Sequence, residues 1–291
     1  MNPPTAPFGA RLAAAMDDYG PVCVGIDPHP ELLAAWGLTD DADGLRTFAL
    51  TVVDALVGRV AALKPQSAFF ERHGSAGIAV LEEVLATVRA ADGGTQAVLD
   101  AKRGDIGSTM EGYADAYLRD GAPLACDALT VSPYLGFGSL TPAVEAAVRA
   151  GRGLFVLALT SNPQGASVQH AVGPSGTPVA RAMALAAAEL NAAELDRTGG
   201  PMGSIGLVVG ATVGDAVSRL GIDLAAVRGP LLAPGLGAQG AGAAELALAF
   251  AGAGRSVLAA TSRAVLAAGP DRAAVRTAAL AAVREAASAL R

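Results

Sequence analysis

Short apolar segments recur along this chain, and each ends in polar residues or glycine. Between them lie amphipathic or alanine-rich stretches such as 43–57, 75–91 and 179–197. Apolar runs that alternate with helical stretches are typical of parallel strands covered on both faces. The runs are VCVGID (22–27), VAALKPQ (60–66), AVLDAKR (97–103), ALTVSP (128–133), LFVLALTS (154–161), IGLVVGAT (205–212), PLLAPGLG (230–237) and VLAATSR (257–263). Eight strands are the number that closes a (β/α)8 barrel.

Polar residues gather at the C-terminal ends of these runs, which is the face where βα barrels form their active sites. They are Asp27, Lys64, Asp100, Lys102, Ser161, Thr212, Gly235 and Arg263. An open doubly wound sheet would concentrate ligand groups at one switch point instead. We therefore predict an α/β fold, a (β/α)8 TIM barrel that forms a single domain over 1–291. It carries an N-terminal helical extension (about 1–20) and a long loop and helix insertion (162–200).

Composition narrows the functional class. Hydrophobic residues make up 52% of the chain and aromatics 4%, which suits Val and Leu strands under Ala-rich helices. The net charge of −6 is unlike a nucleic-acid-binding protein. No apolar run is long enough to span a membrane, and the N-terminus lacks a signal-peptide pattern. Cys23 and Cys126 are expected to be buried, reduced thiols. These features predict a cytoplasmic location.

The segment LDAKRGDIGST (99–109) places three charged side chains at the end of a predicted strand. Asp100 and Lys102 are two positions apart, so both side chains should point to the same face of the strand. Asp105 follows Gly104, where the chain leaves the strand, and can turn to meet Lys102 from another side. A lysine between two carboxylates has a raised pKa, and it can stabilise and then protonate a carbanion. The alternative is a buried salt-bridge cluster without chemistry.

The segment LLAPGLGAQG (231–240) contains a G-x-G-x-x-G pattern between a predicted strand and a helix. A Rossmann site would have this pattern after its first strand, and an acidic residue would follow the next one. Here the pattern follows run seven and run eight ends in TSR, so the glycines and the helix start favour a phosphate. Arg263 ends run eight, and a phosphate site after strands seven and eight recurs in this barrel. A rim salt bridge is the alternative for Arg263.

Two further charged residues end runs one and two. Asp27 is equally compatible with a turn before Pro28, and Lys64 with an ordinary surface lysine. Their shared location at one barrel mouth favours a site. The segment 162–178 is rich in Gly and Pro and is either a mobile lid or a passive surface loop. The three histidines do not form a cluster with metal-ligand spacing, so we expect no metal.

These segments together resemble the orotidine 5′-phosphate decarboxylase family, particularly its longer actinobacterial form. The resemblance covers nearly the whole chain and rests on GIDPHPELL, LKPQSAFFE, LDAKRGDIGST, VSPYLG, TSNPQG, PGLGAQG and TSR. The D-x-K-x-x-D pattern alone is shared with sugar-phosphate decarboxylases and aldolases of the same barrel group. The resemblance implies decarboxylation of orotidine 5′-monophosphate to UMP and CO2, the last step of pyrimidine biosynthesis, without a cofactor.

The same resemblance implies roles for individual residues. Lys102 would donate the proton to C6 of the pyrimidine, and Asp100 would lie against the leaving carboxylate. Asp105, Ile106 and Thr109 would reach across a homodimer interface into the other subunit's site.

Lys64 and Asp27 would contact the ribose and support the charged network, with Lys64 also counted among the catalytic residues. Ser161 would hydrogen-bond the pyrimidine, and Gln239 and Arg263 would contact the phosphate. Gly235 and Gly237 are expected to be substrate-binding glycines of the same loop.

Two other functions remain open on the residues alone. One is a Mg-dependent sugar-phosphate lyase or decarboxylase of the same barrel group, acting through an enediolate. The other is a non-catalytic nucleotide-binding protein, which would bind UMP without turnover. A chelator-insensitive loss of the absorbance of orotidine 5′-monophosphate would exclude both.

Overall fold

In the computed structural model, which describes residues 6–236 and 242–290, the strands form one closed parallel barrel. Each strand pairs with its neighbour along the chain, and the last strand pairs with the first. The strands are β1 (Val22–Ile26), β2 (Ala62–Pro65), β3 (Gln96–Arg103), β4 (Ala128–Val131), β5 (Gly153–Leu159), β6 (Ile205–Val209), β7 (Leu231–Pro234) and β8 (Val257–Thr261). The predicted (β/α)8 barrel is confirmed.

Helices connect the strands and cover the outside of the barrel. They are α1 (Phe8–Tyr19), α2 (Pro30–Ala35), α3 (Ala42–Leu56), α4 (Ser67–Glu71), α5 (Gly74–Ala90), α6 (Gly107–Leu118), α7 (Thr141–Ala150), α8 (Ala166–Gln169), α9 (Val179–Thr198), α10 (Ala216–Arg219), α11 (Ala243–Ala249), α12 (Arg263–Leu266) and α13 (Arg272–Ala289). Short 3-10 turns lie at Phe137–Leu140, Pro163–Gly165 and Gly254–Ser256. The predicted helical stretches 43–57, 75–91 and 179–197 correspond to α3, α5 and α9 with boundaries shifted by one residue at most.

The apolar core has two parts because each strand is buried on both faces. The larger part lies between the strands and the surrounding helices. The smaller part fills the barrel interior, where residues such as Val98, Phe155 and Leu258 meet. This arrangement explains why the strands are continuous apolar runs and not alternating ones.

Helix α1, which falls within the predicted N-terminal extension, closes the N-terminal end of the barrel. Its Phe8 and Leu12 are fully buried in the interior cluster, and the ring of Phe8 meets that of Phe155 edge to face at 6.0 Å. Arg11 on the same helix donates to Asp127 at 2.7 Å. Side chains thus fill this end of the barrel interior, so the site is expected at the opposite face.

Several strands end earlier than the sequence pattern suggested. The polar residues Asp27, Ser161, Gly235 and Arg263 lie just beyond the ends of β1, β5, β7 and β8, whereas Lys64, Asp100 and Lys102 lie within β2 and β3. The apolar pattern cannot locate these ends because the first loop residues are also buried or small.

The segment 162–178 folds into defined local structure. It contains the turn Pro163–Gly165, helix α8 and an antiparallel bridge between Val172 and Pro178. The backbone N–H of Thr160 donates to Oε1 of Gln169 at 2.9 Å, which ties α8 to the end of β5.

Two other expectations concern the thiols and the membrane. Cys23 and Cys126 are buried and free, as predicted. Within residues 6–236 and 242–290, no helix combines the length and the apolar character needed to cross a bilayer.

Candidate active site

A cavity of about 250 Å³ lies at the C-terminal ends of the strands, on the face opposite α1. Four of the predicted site residues line it together: Lys64, Asp100, Lys102 and Ser161. The rest of its wall comes from β4, β5, β6, β7 and the segments that follow β5 and β6, through Thr130, Leu157, Thr160, Asn162, Val208, Gly210, Leu232 and Pro234. The cavity therefore has an apolar floor and a polar, charged side.

The carboxylate of Asp100 is the centre of the charged side. Its Oδ1 accepts from the ammonium of Lys102 at 2.7 Å and from the hydroxyl of Thr130 at 2.8 Å. Its Oδ2 accepts from the ammonium of Lys64 at 3.0 Å. Asp100 and Lys64 are both only 8% exposed, so this pair is largely shielded from water, whereas the side chain of Lys102 is 45% exposed. A buried charge is tolerated when it is paired and hydrogen-bonded in this way.

The pKa values of the buried pair follow from this packing. Burial alone would raise the pKa of Asp100, but the ammonium groups of Lys64 and Lys102 outweigh it and hold that pKa well below its usual range. Burial alone would lower the pKa of Lys64, but the carboxylates of Asp100 and Asp27 more than compensate and raise it. Both groups are therefore ionised at neutral pH.

The backbone at Lys102 departs from regular strand geometry, and this departure brings its side chain to Asp100. Its φ is +48°, in the left-handed region that residues other than glycine rarely occupy. The β3–β4 pairing shifts register between Leu99 and Arg103, so four steps along β3 match two steps along β4, from Leu129 to Val131. The expected proximity of residues 100 and 102 is correct, but its expected reason, simple alternation along a strand, is wrong. A bulge brings the lysine to the carboxylate.

The expectation that Lys102 lies between two carboxylates is wrong within one chain. In the described ranges Lys102 has an ion pair with Asp100, and none with Asp105. Oδ1 of Asp105 instead accepts from the backbone N–H of Ile106 at 2.8 Å. The order of charges is thus reversed: one carboxylate, Asp100, lies between two ammonium groups. Asp105 lies in the loop between β3 and α6 and is not among the residues that line the cavity.

Ile106 and Thr109 continue this loop and the first turn of α6. Both are exposed, and Ile106 is 62% exposed although its side chain is large and apolar. Tyr134 and Leu135, which follow the neighbouring strand β4, are exposed at 77% and 54%. The segments that follow β3 and β4 thus expose large apolar side chains to solvent.

Asp27 lies beside Lys64 at the end of β1. Gly25 on β1 is the register partner of Lys64 on β2, and the carboxylate of Asp27 folds back over Gly25. The negative charge of Asp27 contributes to the raised pKa of Lys64. The predicted pair of Asp27 and Lys64 therefore occupies one side of the barrel mouth.

Only some of the residues predicted to contact a phosphate belong to the described ranges. Arg263 begins α12 directly after β8 and is exposed, at the same face as the cavity but not in its wall. Gly235 follows β7 with a φ of +121°, a backbone conformation that requires glycine. Gly237 and Gln239 lie outside the described residues.

Sequence reasoning missed Thr130. It is 1% exposed on β4, donates to Asp100 and accepts the backbone N–H of Lys102 at 3.0 Å. A threonine within a strand carries no special signal by itself, because threonine favours strands in general. Its role becomes visible only from the strand register. Leu99 pairs with Leu129, and the next residues on the two strands, Asp100 and Thr130, are in contact. No group of three His, Cys, Asp or Glu side chains that could hold a metal ion occurs in the part of the chain that the structure describes.

Comparisons with known proteins identify relatives of this chain. A protein from Streptomyces coelicolor named orotidine 5′-phosphate decarboxylase is 59% identical over 274 residues, which is 94% of each chain. One of the same name from Salinispora arenicola is 58% identical over 272 residues, again 94% of each. A crystal structure from Streptomyces avermitilis, titled as a candidate orotidine 5′-phosphate decarboxylase, superposes with a TM-score of 0.92 at 57% identity. It covers 99% of this chain and 97% of its own.

The family profile that matches this chain is described as orotidine 5′-phosphate decarboxylase / HUMPS, and it aligns with residues 20–278. The aligned range contains all eight strands and every residue of the charged cavity wall. The chain therefore belongs to the orotidine 5′-phosphate decarboxylase / HUMPS family.

Proposed function

We propose that this protein decarboxylates orotidine 5′-monophosphate to UMP and CO2. The observation that carries the proposal is the ammonium of Lys102, held 2.7 Å from Asp100 in the wall of the cavity. The relatives with 58% and 59% identity carry the name of this activity, and they cover nearly the whole chain. Lysine is suited to the reaction because a fixed cation stabilises negative charge where it develops.

The reaction needs both a cation and a proton at one ring carbon. The bond between C6 and the carboxylate breaks, its electron pair stays on C6, and CO2 leaves. The ammonium of Lys102 stabilises the carbanion and transfers a proton from Nζ to C6, after which water reprotonates the amine. Lys64 and Thr130 hold Asp100, and Asp100 in turn holds Lys102 in place. No cofactor has a role in this scheme.

The remaining site residues are assigned by their positions around the cavity. Ser161 lines the cavity and would bind the pyrimidine, while Lys64 and Asp27 would bind the ribose. Arg263 carries a positive charge just after β8 and would bind the phosphate together with backbone N–H groups near Gly235, which follows β7. The proposed phosphate contacts of Gly237 and Gln239 stay predictions.

We also infer a homodimer with shared sites. Asp105 has no ion pair with Lys102 in its own chain, and the loop that carries it is rimmed by exposed Ile106 and Tyr134. An exposed apolar patch is typical of an interface. In a dimer built on this patch, Asp105, Ile106 and Thr109 would complete the partner's site and supply the second carboxylate for Lys102.

Location and partners are inferred from composition. Two free cysteines and a net charge of −6 support a cytoplasmic enzyme that binds a small nucleotide and no nucleic acid. The small ligand is anionic, and Lys64, Lys102 and Arg263 supply local positive charge for it.

A single assay tests the reaction. Purified protein is mixed with orotidine 5′-monophosphate, and the loss of its absorbance is followed with and without EDTA, with UMP identified by chromatography. We expect equal rates in both samples. Folded protein that leaves the substrate unchanged would refute the proposal, and activity that disappears with EDTA would favour a metal-dependent lyase of the same barrel group.

A further inference from the structure

Two buried polar atoms at the barrel mouth have no hydrogen-bond partner within residues 6–236 and 242–290. They are Oδ1 of Asp27, after β1, and the hydroxyl Oγ of Ser262, after β8. Buried polar atoms are nearly always hydrogen-bonded, and leaving one unpaired destabilises the protein. Two such atoms beside the proposed site indicate groups that are satisfied by a ligand.

The strand register shows that the side chains of Asp27 and Ser262 are neighbours. Val24 pairs with Thr261, and Gly25 pairs with Lys64, so Gly25 lies in one row between Lys64 and Ser262. A Cβ on Gly25 would lie 2.9 Å from Cβ of Ser262 and 3.0 Å from Oδ2 of Asp27. The absent side chain of Gly25 therefore lets the carboxylate and the serine approach each other.

The hydrogen-bonding capacity of Asp27 and Ser262 indicates which ligand group they bind. A carboxylate only accepts hydrogen bonds and an ammonium only donates them, whereas a serine hydroxyl does both. Asp27 and Ser262 together offer an acceptor and a hydroxyl, and an alcohol on the ligand can donate to the first and accept from the second. A hydroxyl group on the ligand thus satisfies both orphaned atoms at once.

The position of Asp27 and Ser262 between Lys64 and Arg263 indicates which hydroxyl group of the ligand they bind. On one side lies Lys64, bonded to Asp100 in the cavity wall, and on the other lies Arg263, next in sequence to Ser262. In the proposed function the pyrimidine lies over Lys102 and Asp100 and the phosphate lies by Arg263. The part of the nucleotide between base and phosphate is the ribose.

We infer that Ser262 is a further substrate-binding residue, whose hydroxyl acts with Asp27 to bind a ribose hydroxyl of the nucleotide. The inference rests on the proposed function for the identity of the ligand, and it adds a residue at the end of β8 to the ribose site. In the alternative role, Ser262 only orients the carboxylate of Asp27. The two roles give different results when Asp27 is removed.

The test measures binding of UMP, 2′-deoxy-UMP and 3′-deoxy-UMP by calorimetry to wild-type protein and to Ser262→Ala. Loss of one such hydrogen bond should weaken UMP binding about ten-fold. The weakening should disappear for the deoxynucleotide that lacks the contacted hydroxyl and persist for the other. Ser262→Cys, which keeps the size of the side chain but has a weak donor, should behave like Ser262→Ala.

A double-mutant cycle separates direct binding from orientation. In an Asp27→Ala background, Ser262→Ala should still weaken UMP binding several-fold, because the serine contacts the ribose itself. Ser288→Ala, an exposed serine in the last turn of α13, is the matched control and should bind all three nucleotides as wild type does.

Three outcomes would overturn the inference. These are unchanged UMP binding by Ser262→Ala, an equal loss for UMP and both deoxynucleotides, and an effect that vanishes in the Asp27→Ala background. Decarboxylation by wild-type protein is assayed separately. Failure of the proposed function is therefore seen in the wild type, while failure of the Ser262 inference is seen only in the variants.

Discussion

The ammonium of Lys102 lies 2.7 Å from Oδ1 of Asp100 because the backbone of Lys102 adopts a φ of +48° within a bulge of β3. A residue with a Cβ pays a steric cost of about 1–2 kcal/mol in this region. The hydrogen bond from the N–H of Lys102 to Thr130 helps to hold the conformation. Strain of this kind is common where a side chain must be aimed at a reacting group.

The first prediction concerns catalysis by Lys102. Lys102→Ala should lower kcat for orotidine 5′-monophosphate by roughly 10³-fold or more, because the variant lacks both the cation and the proton donor. The fold should survive, since nearly half of the Lys102 side chain (45%) is exposed and Asp100 keeps its bonds to Lys64 and Thr130. Single-turnover kinetics and circular dichroism check the two statements. Turnover near the wild-type rate by the folded variant would remove Lys102 from the mechanism.

The second prediction concerns the strain at the same position. Lys102→Gly should have a free energy of unfolding about 1 kcal/mol higher than that of Lys102→Ala, because glycine adopts a positive φ without steric cost. Both variants should be equally inactive. Urea unfolding of the two proteins under identical conditions gives the difference, and an alanine variant as stable as the glycine variant would contradict a strained backbone at residue 102.

The third prediction concerns the charge of Asp100. Asp100→Asn leaves Lys64 buried without its main counter-charge, which should cost about 3–5 kcal/mol of unfolding free energy. Because the pKa of Asp100 is lowered in the folded protein, its ionised form contributes stability above the unfolded pKa of about 4, and this is lost as the pH falls below it.

Urea unfolding of wild type and Asp100→Asn between pH 3 and 8 measures this dependence. The stability gap between the two proteins should be constant from about pH 5 upward, and it should narrow below about pH 4. A gap that stays constant down to pH 3 would show that the carboxylate is not stabilised in its charged form.

The sequence predicted the barrel and the central charges because both depend on local patterns. Continuous apolar runs mark strands buried on both faces, and Lys64, Asp100 and Lys102 lie near the C-terminal ends of β2 and β3. Thr130 and Ser262 were not predicted, because their roles depend on the register between strands that are distant in sequence or pair only when the barrel closes. Nor does any residue pattern predict a positive φ at a lysine, which arises from the β3–β4 mismatch.

Asp105 illustrates a different limit. From the sequence alone it could turn back to Lys102, yet in the folded chain its carboxylate accepts from the N–H of Ile106. In the proposed dimer its contact with a lysine depends on a second chain, and no spacing within one sequence contains that information.

The fourth prediction concerns the phosphate. Arg263→Ala should lower kcat/KM for orotidine 5′-monophosphate about 10–100-fold, the effect of one charge-assisted contact, and should hardly affect the slow reaction of orotidine, which lacks a phosphate. Arg255→Ala is the matched control, because Arg255 is exposed at the other end of β8. Equal losses for nucleotide and nucleoside would place Arg263 outside the phosphate site.

The fifth prediction tests whether Asp105 acts across a dimer. Lys102→Ala and Asp105→Ala should each be nearly inactive alone. When the two are unfolded together and refolded at equal amounts, random pairing makes half of the dimers mixed, and one of the two sites in each mixed dimer has both Lys102 and Asp105. Activity should therefore return to about a quarter of the wild-type value.

The matched control in this experiment is Asp115→Ala, an exposed aspartate on the same helix α6, which should be as active as wild type alone. If Asp105 served the lysine of its own chain, no mixed dimer would contain a complete site made from two chains. Each mixed dimer would then hold one site without Lys102 and one without Asp105, and mixing would restore no activity. The recovery is thus specific to a carboxylate that crosses the interface, because no rearrangement within a single chain can bring together two residues carried by different chains.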